Sequence, residues 1–494
     1  MTLKTPLPAL LPPHIAVING SGHTAGSGEL LEHIYPANGQ VSAEYRIAGE
    51  PEVEAAVAAA RAAFPAWRAL SGDRKRDLLL KLASVIEQHS NELAALELLG
   101  SGSPIMMGSY IPPVIAQRFR YYAGAADRIR GDTLDAWNGP AHNYVKYEPY
   151  GVIGAIIPWN GPLFAAAMVI APALAAGNCV VLKAPELSPF SIMRFADLFA
   201  EAGFPPGVVN MVVGGATVGE ALVAHPGVNK IQFVGSGATA KRVLGTAASH
   251  LKPCGLELGG KSAVLLFGDC DLTDAGKRAL SGAISVSGQG CVNGTRILVE
   301  RCIYEPFLQM AAAIAAHIPV GDPSDPATVM GPVISAAALS RIEGVIDRAI
   351  ADGGRQVTGG KRLGGPLTEG FFLPINVIAD VSPESDLARN EVFGPVLSVT
   401  PFDSEEEAIA LANNSDYGLG AYIHTQNLRR AHHVAGAMEA GMVQVNASGE
   451  GMQPFAPFGG YKQSGYGRLG GHQGLLEFLQ VKNVWINLAP GATS

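Results

Sequence analysis

The chain has 494 residues, 48% of them hydrophobic and 16% charged, against roughly 25% charged in ordinary soluble domains, which excludes disorder and leaves much to bury. A formal net charge of -8 with no block of like charges excludes a nucleic-acid-binding surface. The 60 glycines and 34 prolines follow no Gly-X-Y period, so collagen is excluded and a turn-rich α/β enzyme fits the balance.

The first twenty residues carry Lys4 and are broken by Pro6, Pro8, Pro12 and Pro13, so they lack the apolar core of a signal peptide and are expected to form a loose arm. Val53, Ala56, Val57, Ala60, Phe64 and Trp67 then recur at three- and four-residue spacing, the period of a helix with one buried face. Leu79, Leu82, Ala83 and Ile86 predict a second helix, and Leu93, Leu96 and Leu99 a third that stops at Gly100. Residues 132–146 alternate as a strand does.

Residues 149–182 hold no charge and are long enough to cross a bilayer. Pro158, Gly161, Pro162, Gly177 and Asn178 interrupt them, so the segment divides into strand, loop, buried helix and strand, and a membrane span is rejected. Short apolar runs at 152–157, 179–182, 208–213, 231–234 and 263–265, separated by helical stretches, predict a parallel sheet covered on both faces. Ser188 reads as a helix N-cap with Pro189 at the first helical position, which places Lys183 and Glu186 in the loop leaving the second strand, where open α/β sheets bind ligands. A second α/β series runs from 296 to 446, with a helix at 335–351 and a strand at 396–400, and the tail from 475 to 487 alternates again.

Gly235, Ser236, Gly237 and Ala240 follow a strand and open a helix in the form of a dinucleotide fingerprint. On that reading Glu257 holds a ribose hydroxyl; on the other, Lys183 and Glu186 hold it and the glycines are a helix-entry turn. A carboxylate such as Glu186 beside the adenosine ribose repels a 2'-phosphate and so favours NAD over NADP. Cys291 lies in a loop of small residues, with Gly288 and Gly290 before it leaving room for substrate, and a cysteine nucleophile needs access and a lowered pKa. Cys179, Cys254, Cys270, Cys291 and Cys302 form an odd set with no zinc or disulfide spacing, so no metal is expected and a reducing cytoplasm is the default.

Six short motifs now stand in order: Pro158, Trp159, Asn160; Lys183 to Glu186; Glu257 to Lys261; Gly288 to Cys291; Glu391 to Pro395; and Pro457 to Gly465. Together they resemble the aldehyde dehydrogenase superfamily, over nearly the whole chain. The resemblance implies an α/β fold with a Rossmann-type cofactor domain at 1–130 and 150–258, an α/β catalytic domain at 259–459, and oligomerisation strands at 131–149 and 475–494. It implies an NAD-dependent oxidation of an aldehyde to the acid, by a homodimer or homotetramer. Cys291 would be the nucleophile, Asn160 with the Cys291 backbone N–H the oxyanion hole, and Glu257 the base for thioester hydrolysis. Trp159, Lys183, Glu186, Gly235, Ser236, Glu391 and Phe393 would bind the cofactor, and Gly161, Met168, Val292, Met452, Phe455 and Phe458 would line the substrate tunnel.

The chain departs from the family pattern at Gly161, where an aromatic is usual, at Leu469, where a glutamate is usual, and at Ala240 and Gly290. Gly161 and Gly290 are expected to widen the tunnel. Its positions include no arginine or lysine, which favours an uncharged aliphatic or aromatic aldehyde over a carboxylate-bearing one. The alternatives are a CoA-acylating or semialdehyde-specific dehydrogenase of the same superfamily and a catalytically silent protein on the same scaffold; the presence of Glu257 argues against CoA acylation.

Overall fold

The computed structural model describes residues 11–137, 139–449 and 452–489; the first ten residues of the expected arm and the last five of the expected C-terminal segment lie outside these. Within the arm, Ala16–Ile18 is a strand rather than loose chain. Its three apolar residues are buried as it pairs antiparallel with Val209–Gly214 at the edge of the first sheet.

Helices Glu50–Ala69, Gly72–Gln88, Ser90–Ser101 and Ile105–Ala123 follow, and the first buries Val53, Ala56, Val57, Ala60 and Trp67 as its periodicity requires. The third does not stop at Gly100. It ends at Gly102, whose φ of 71° is the left-handed conformation that glycine adopts without strain. Gly100 is small for another reason: a side chain there would collide with the Ser188 hydroxyl. Ser188 accordingly faces that helix and caps nothing, and the following helix, Phe190–Glu201, has Pro189 at its N-cap.

The first sheet has eight strands, and its centre is parallel in the order Val209–Gly214, Cys179–Pro185, Val152–Ile156, Lys230–Val234, Cys254–Glu257. The first three of these are buried throughout, which is why they read as unbroken apolar runs. Strand order reverses between Val152–Ile156 and Lys230–Val234, the position where doubly wound sheets open a crevice at their carboxyl ends. The chain leaves the strand Val152–Ile156 there through Pro158 and Asn160 into helix Pro162–Ala175, in which every residue but Phe164 is buried.

Ala263–Leu266, expected as the next strand of this sheet, instead belongs to a second, seven-stranded sheet between Arg296–Glu300 and Gly420–His424. An apolar run fixes burial but not which sheet supplies it, and Gly259 and Gly260 let the chain cross between the two. Helix Ala336–Ala351 and strand Val396–Phe402 lie where sequence predicts, the helix capped by Ser335, whose hydroxyl accepts from the Ala338 N–H at 3.2 Å. A third, antiparallel sheet joins Leu479–Asn487 to Ala141–Pro149 over nine residue pairs, with Thr133–Leu134 at its far edge; residues 475–478, expected within this strand, precede it.

Candidate active site

Cys291 sits in a tight loop whose preceding residues Val286, Ser287 and Gly288 all have positive φ. The loop is fixed from three directions. Asn293 donates its amide to the carbonyls of Ala283 at 3.1 Å and Ser285 at 2.8 Å, the Gln289 side chain accepts from the Ile334 N–H at 3.0 Å, and Gly288 packs against the backbone of Gly394 and Pro395. A side chain at 288 would collide with Gly394, and one at 290 with Asn293. These glycines therefore permit close packing, and Gly290 does not widen the tunnel as its small size suggested.

Asn160 donates its side-chain amide to the Gln289 carbonyl at 2.7 Å, which ties the turn after the first parallel strand to the cysteine loop. Glu257 ends the strand Cys254–Glu257, is 3% exposed, and has neither carboxylate oxygen hydrogen-bonded. Burial raises its pKa well above the usual carboxylate value, helped by Glu477 and opposed by the Arg468 guanidinium. Burial likewise pushes the Cys291 thiol up to about 12, with the charges of Glu391 and Glu257 adding to the shift. The lowered pKa expected from sequence is absent because the sulfur is buried and carboxylates, not a cation, lie near it.

Asn160, Glu257 and Cys291 line one cavity of about 1110 Å³, together with Trp159, Gly161, Met168, Gly235, Ser236, Val292, Glu391, Phe393, Met452 and Phe458. Ser236 caps helix Gly237–Ser249 by accepting from the Thr239 N–H at 3.3 Å, so the positive end of a helix macrodipole opens at the cavity wall. A Cβ on Gly237 would meet nothing within 4 Å, leaving that backbone open to approach. Glu391 accepts from the Gly260 N–H at 3.1 Å, and the Phe393 ring stands edge-on to Trp159 with centroids 5.5 Å apart. These donors and rings suit a dinucleotide: amides for phosphate, a carboxylate for ribose hydroxyls, an apolar face for a nicotinamide.

Three expected residues lie elsewhere. Lys183 and Glu186 are outside the cavity wall, at the carboxyl end of the strand Cys179–Pro185, where the ammonium donates to the carboxylate at 3.0 Å. Phe455 is 65% exposed and does not line the cavity; Gln453 and Pro454 do. The sequence reading missed one wall, formed by Met107, Tyr110, Ile111 and Val114 of helix Ile105–Ala123, with Phe164 facing them. Their three- and four-residue spacing was a usable signal. It also missed Arg341 and Glu97, polar groups on the same cavity that no motif announces.

The aldehyde dehydrogenase family model matches residues 23–484. An aldehyde dehydrogenase-like protein of Schizosaccharomyces pombe is 42% identical over 95% of this chain and 94% of its own length. Retinal dehydrogenase 2 of Homo sapiens is 39% identical over 95% of this chain and 91% of its own. Among solved structures, betaine aldehyde dehydrogenase from Staphylococcus aureus in complex with NAD+ superposes with a TM-score of 0.95 at 34% identity, covering 98% of this chain and 97% of that one.

Proposed function

The chain belongs to the aldehyde dehydrogenase family, and from that premise we propose that it oxidises an uncharged aliphatic or aromatic aldehyde of moderate size to the carboxylic acid with NAD. The observation that carries this reading is the meeting of Cys291, Glu257 and Asn160 in one cavity with Ser236, Glu391 and Phe393.

In the proposed reaction Glu257, as the carboxylate and with both oxygens free, takes the thiol proton as the Cys291 sulfur bonds to the aldehyde carbon, its raised pKa suiting it to a base. The carbonyl oxygen becomes an anion held by the Cys291 backbone N–H and the Asn160 amide, whose bond to Gln289 fixes its orientation; such a donor is worth about 3 kcal/mol. NAD, when bound, supplies the hydride acceptor. Glu257 passes the thiol proton to solvent, then draws a proton from the water that attacks the thioester and returns it to the departing Cys291 sulfur, releasing the acid. Ser236 and the helix it caps would hold the pyrophosphate, Glu391 and Phe393 the nicotinamide end, and Lys183 with Glu186 the adenosine ribose. The Glu186 carboxylate supports NAD over NADP.

The apolar lining from Met107, Ile111, Val114, Phe164 and Met168 supports an uncharged substrate, the charge of Arg341 on the same cavity being answered by Glu391. Exposed Val481 and Trp485 on the third sheet support assembly as a homodimer or homotetramer. Five free cysteines suit the reducing cytoplasm, and no helix among the described residues is long and apolar enough to cross a membrane. NADH formation with hexanal or benzaldehyde, unaffected by CoA, is the expected result. Clear preference for succinic semialdehyde overturns the substrate class, and an acyl-CoA product overturns hydrolysis.

A further inference from the structure

Gly161 differs from the other glycines around the cysteine. The residue before it is bonded to the Gln289 carbonyl, so its backbone is anchored two residues ahead of Cys291 in sequence, on the wall of the same cavity. A Cβ built on Gly161 meets no heavy atom within 4 Å, and its φ of -176° lies outside the left-handed region that favours glycine. Packing does not require glycine there, in contrast to Gly288 and Gly290. The cavity that Gly161 lines is lined also by Phe164, Met168, Val292 and Phe458, an apolar set whose methionine yields readily to shape. Space so lined gains most when apolar atoms fill it.

We propose that Gly161 is a specificity-determining residue: it leaves a lobe beside the nucleophile that admits a substituent on the carbon next to the aldehyde carbonyl. The enzyme thus accepts α-branched and ortho-substituted aryl aldehydes about as well as unhindered isomers. This rests on the reading of Cys291 as the nucleophile. One added carbon in an apolar pocket discriminates by roughly 10- to 200-fold, which sets the size of the effect.

The test compares kcat/KM for 2-methylbenzaldehyde and 4-methylbenzaldehyde with NAD, in the wild type and in Gly161→Ala, Gly161→Leu and Gly161→Phe. The ortho-to-para ratio is taken on one preparation, so any loss of folded enzyme cancels. In the wild type the ratio is expected to be about one, and at least about one-third; it falls roughly tenfold in Gly161→Leu or Gly161→Phe, and about threefold in Gly161→Ala if the larger variants are silent. A wild-type ratio below about one-third, or a ratio unmoved by the substitutions, overturns the lobe while leaving aldehyde oxidation standing. Absence of NADH from the para isomer in the wild type overturns the reaction itself, and the lobe with it.

Discussion

With its thiol pushed up to about 12, Cys291 is protonated at neutral pH, and the proposed reaction has Glu257 take that proton, so that one buried carboxylate serves both halves of it. Without substrate or cofactor, alkylation by iodoacetamide should therefore be slow at neutral pH and climb about tenfold per pH unit well into the alkaline range. A plateau near neutrality would mean that the thiol ionises unaided. Cys291→Ala should abolish NADH formation. Glu257→Gln should slow the first-turnover burst without removing it and lose about a hundredfold or more in steady state, because water, the weaker nucleophile, depends on that base more than the thiol does. Equal loss of burst and turnover places Glu257 before hydride transfer alone. Glu186→Ser should raise the NADP-to-NAD efficiency ratio by about tenfold, the removal of one unfavourable charge. The identities of these residues were legible because reactive side chains sit in short runs of small neighbours. Their ionisation was not, since the carboxylates that raise Cys291 arrive from 34 residues before it and 100 after it in the chain.

Helix Ser90–Ser101 carries Glu97, which is buried, accepts from the Ser191 hydroxyl at 2.7 Å, and reaches the first turn of helix Pro162–Ala175. One carboxyl thus joins three helices, and burial raises its pKa from 4.5 to about 7. Below 4.5 the folded and unfolded chains both hold this proton; as pH rises toward 7 the unfolded chain releases it first, so stability is lost across that window. Glu97→Gln keeps an acceptor and removes the titration. Thermal melts should give the variant an advantage that grows to a few kcal/mol, ~3 at most, between mildly acidic and neutral pH. An advantage independent of pH would show that Glu97 stays ionised in the fold.

At this scale sequence periodicity located the helices well and their ends poorly. Gly100 and Ser188 were each assigned a local duty, stopping one helix and starting another, when each is small or polar to suit the other across the fold. The strand Ala263–Leu266 was found but given to the wrong sheet, because its apolar pattern is the same in either. The helix wall of the cavity went unread for a similar reason: a stripe of Met107, Ile111 and Val114 looks identical whether it faces a core or a ligand.

Across the whole molecule, the three-stranded third sheet stands apart from the two large sheets and presents an exposed outer strand. Val481 and Trp485 lie four residues apart on one face of its outer strand, 63% and 48% exposed. An apolar edge of this kind calls for a covering partner. The double variant Val481→Glu, Trp485→Glu should elute as a monomer with NADH-forming activity per subunit measured alongside; an unchanged oligomer would place the interface elsewhere.

The short strand Gly465–Tyr466 has a consequence for how the protein is made. It pairs with Leu256 and Glu257, and Ser464 beside it bonds both Leu258 and Gly259, so the Glu257 carboxylate is walled in by chain synthesised some two hundred residues later. A ribosome holding the last stretch of the polypeptide in its exit tunnel carries a nascent chain whose second sheet can already assemble while Glu257 still faces water. A chain ending before Ser464 should accordingly assemble its second sheet yet leave Glu257 exposed and form no NADH.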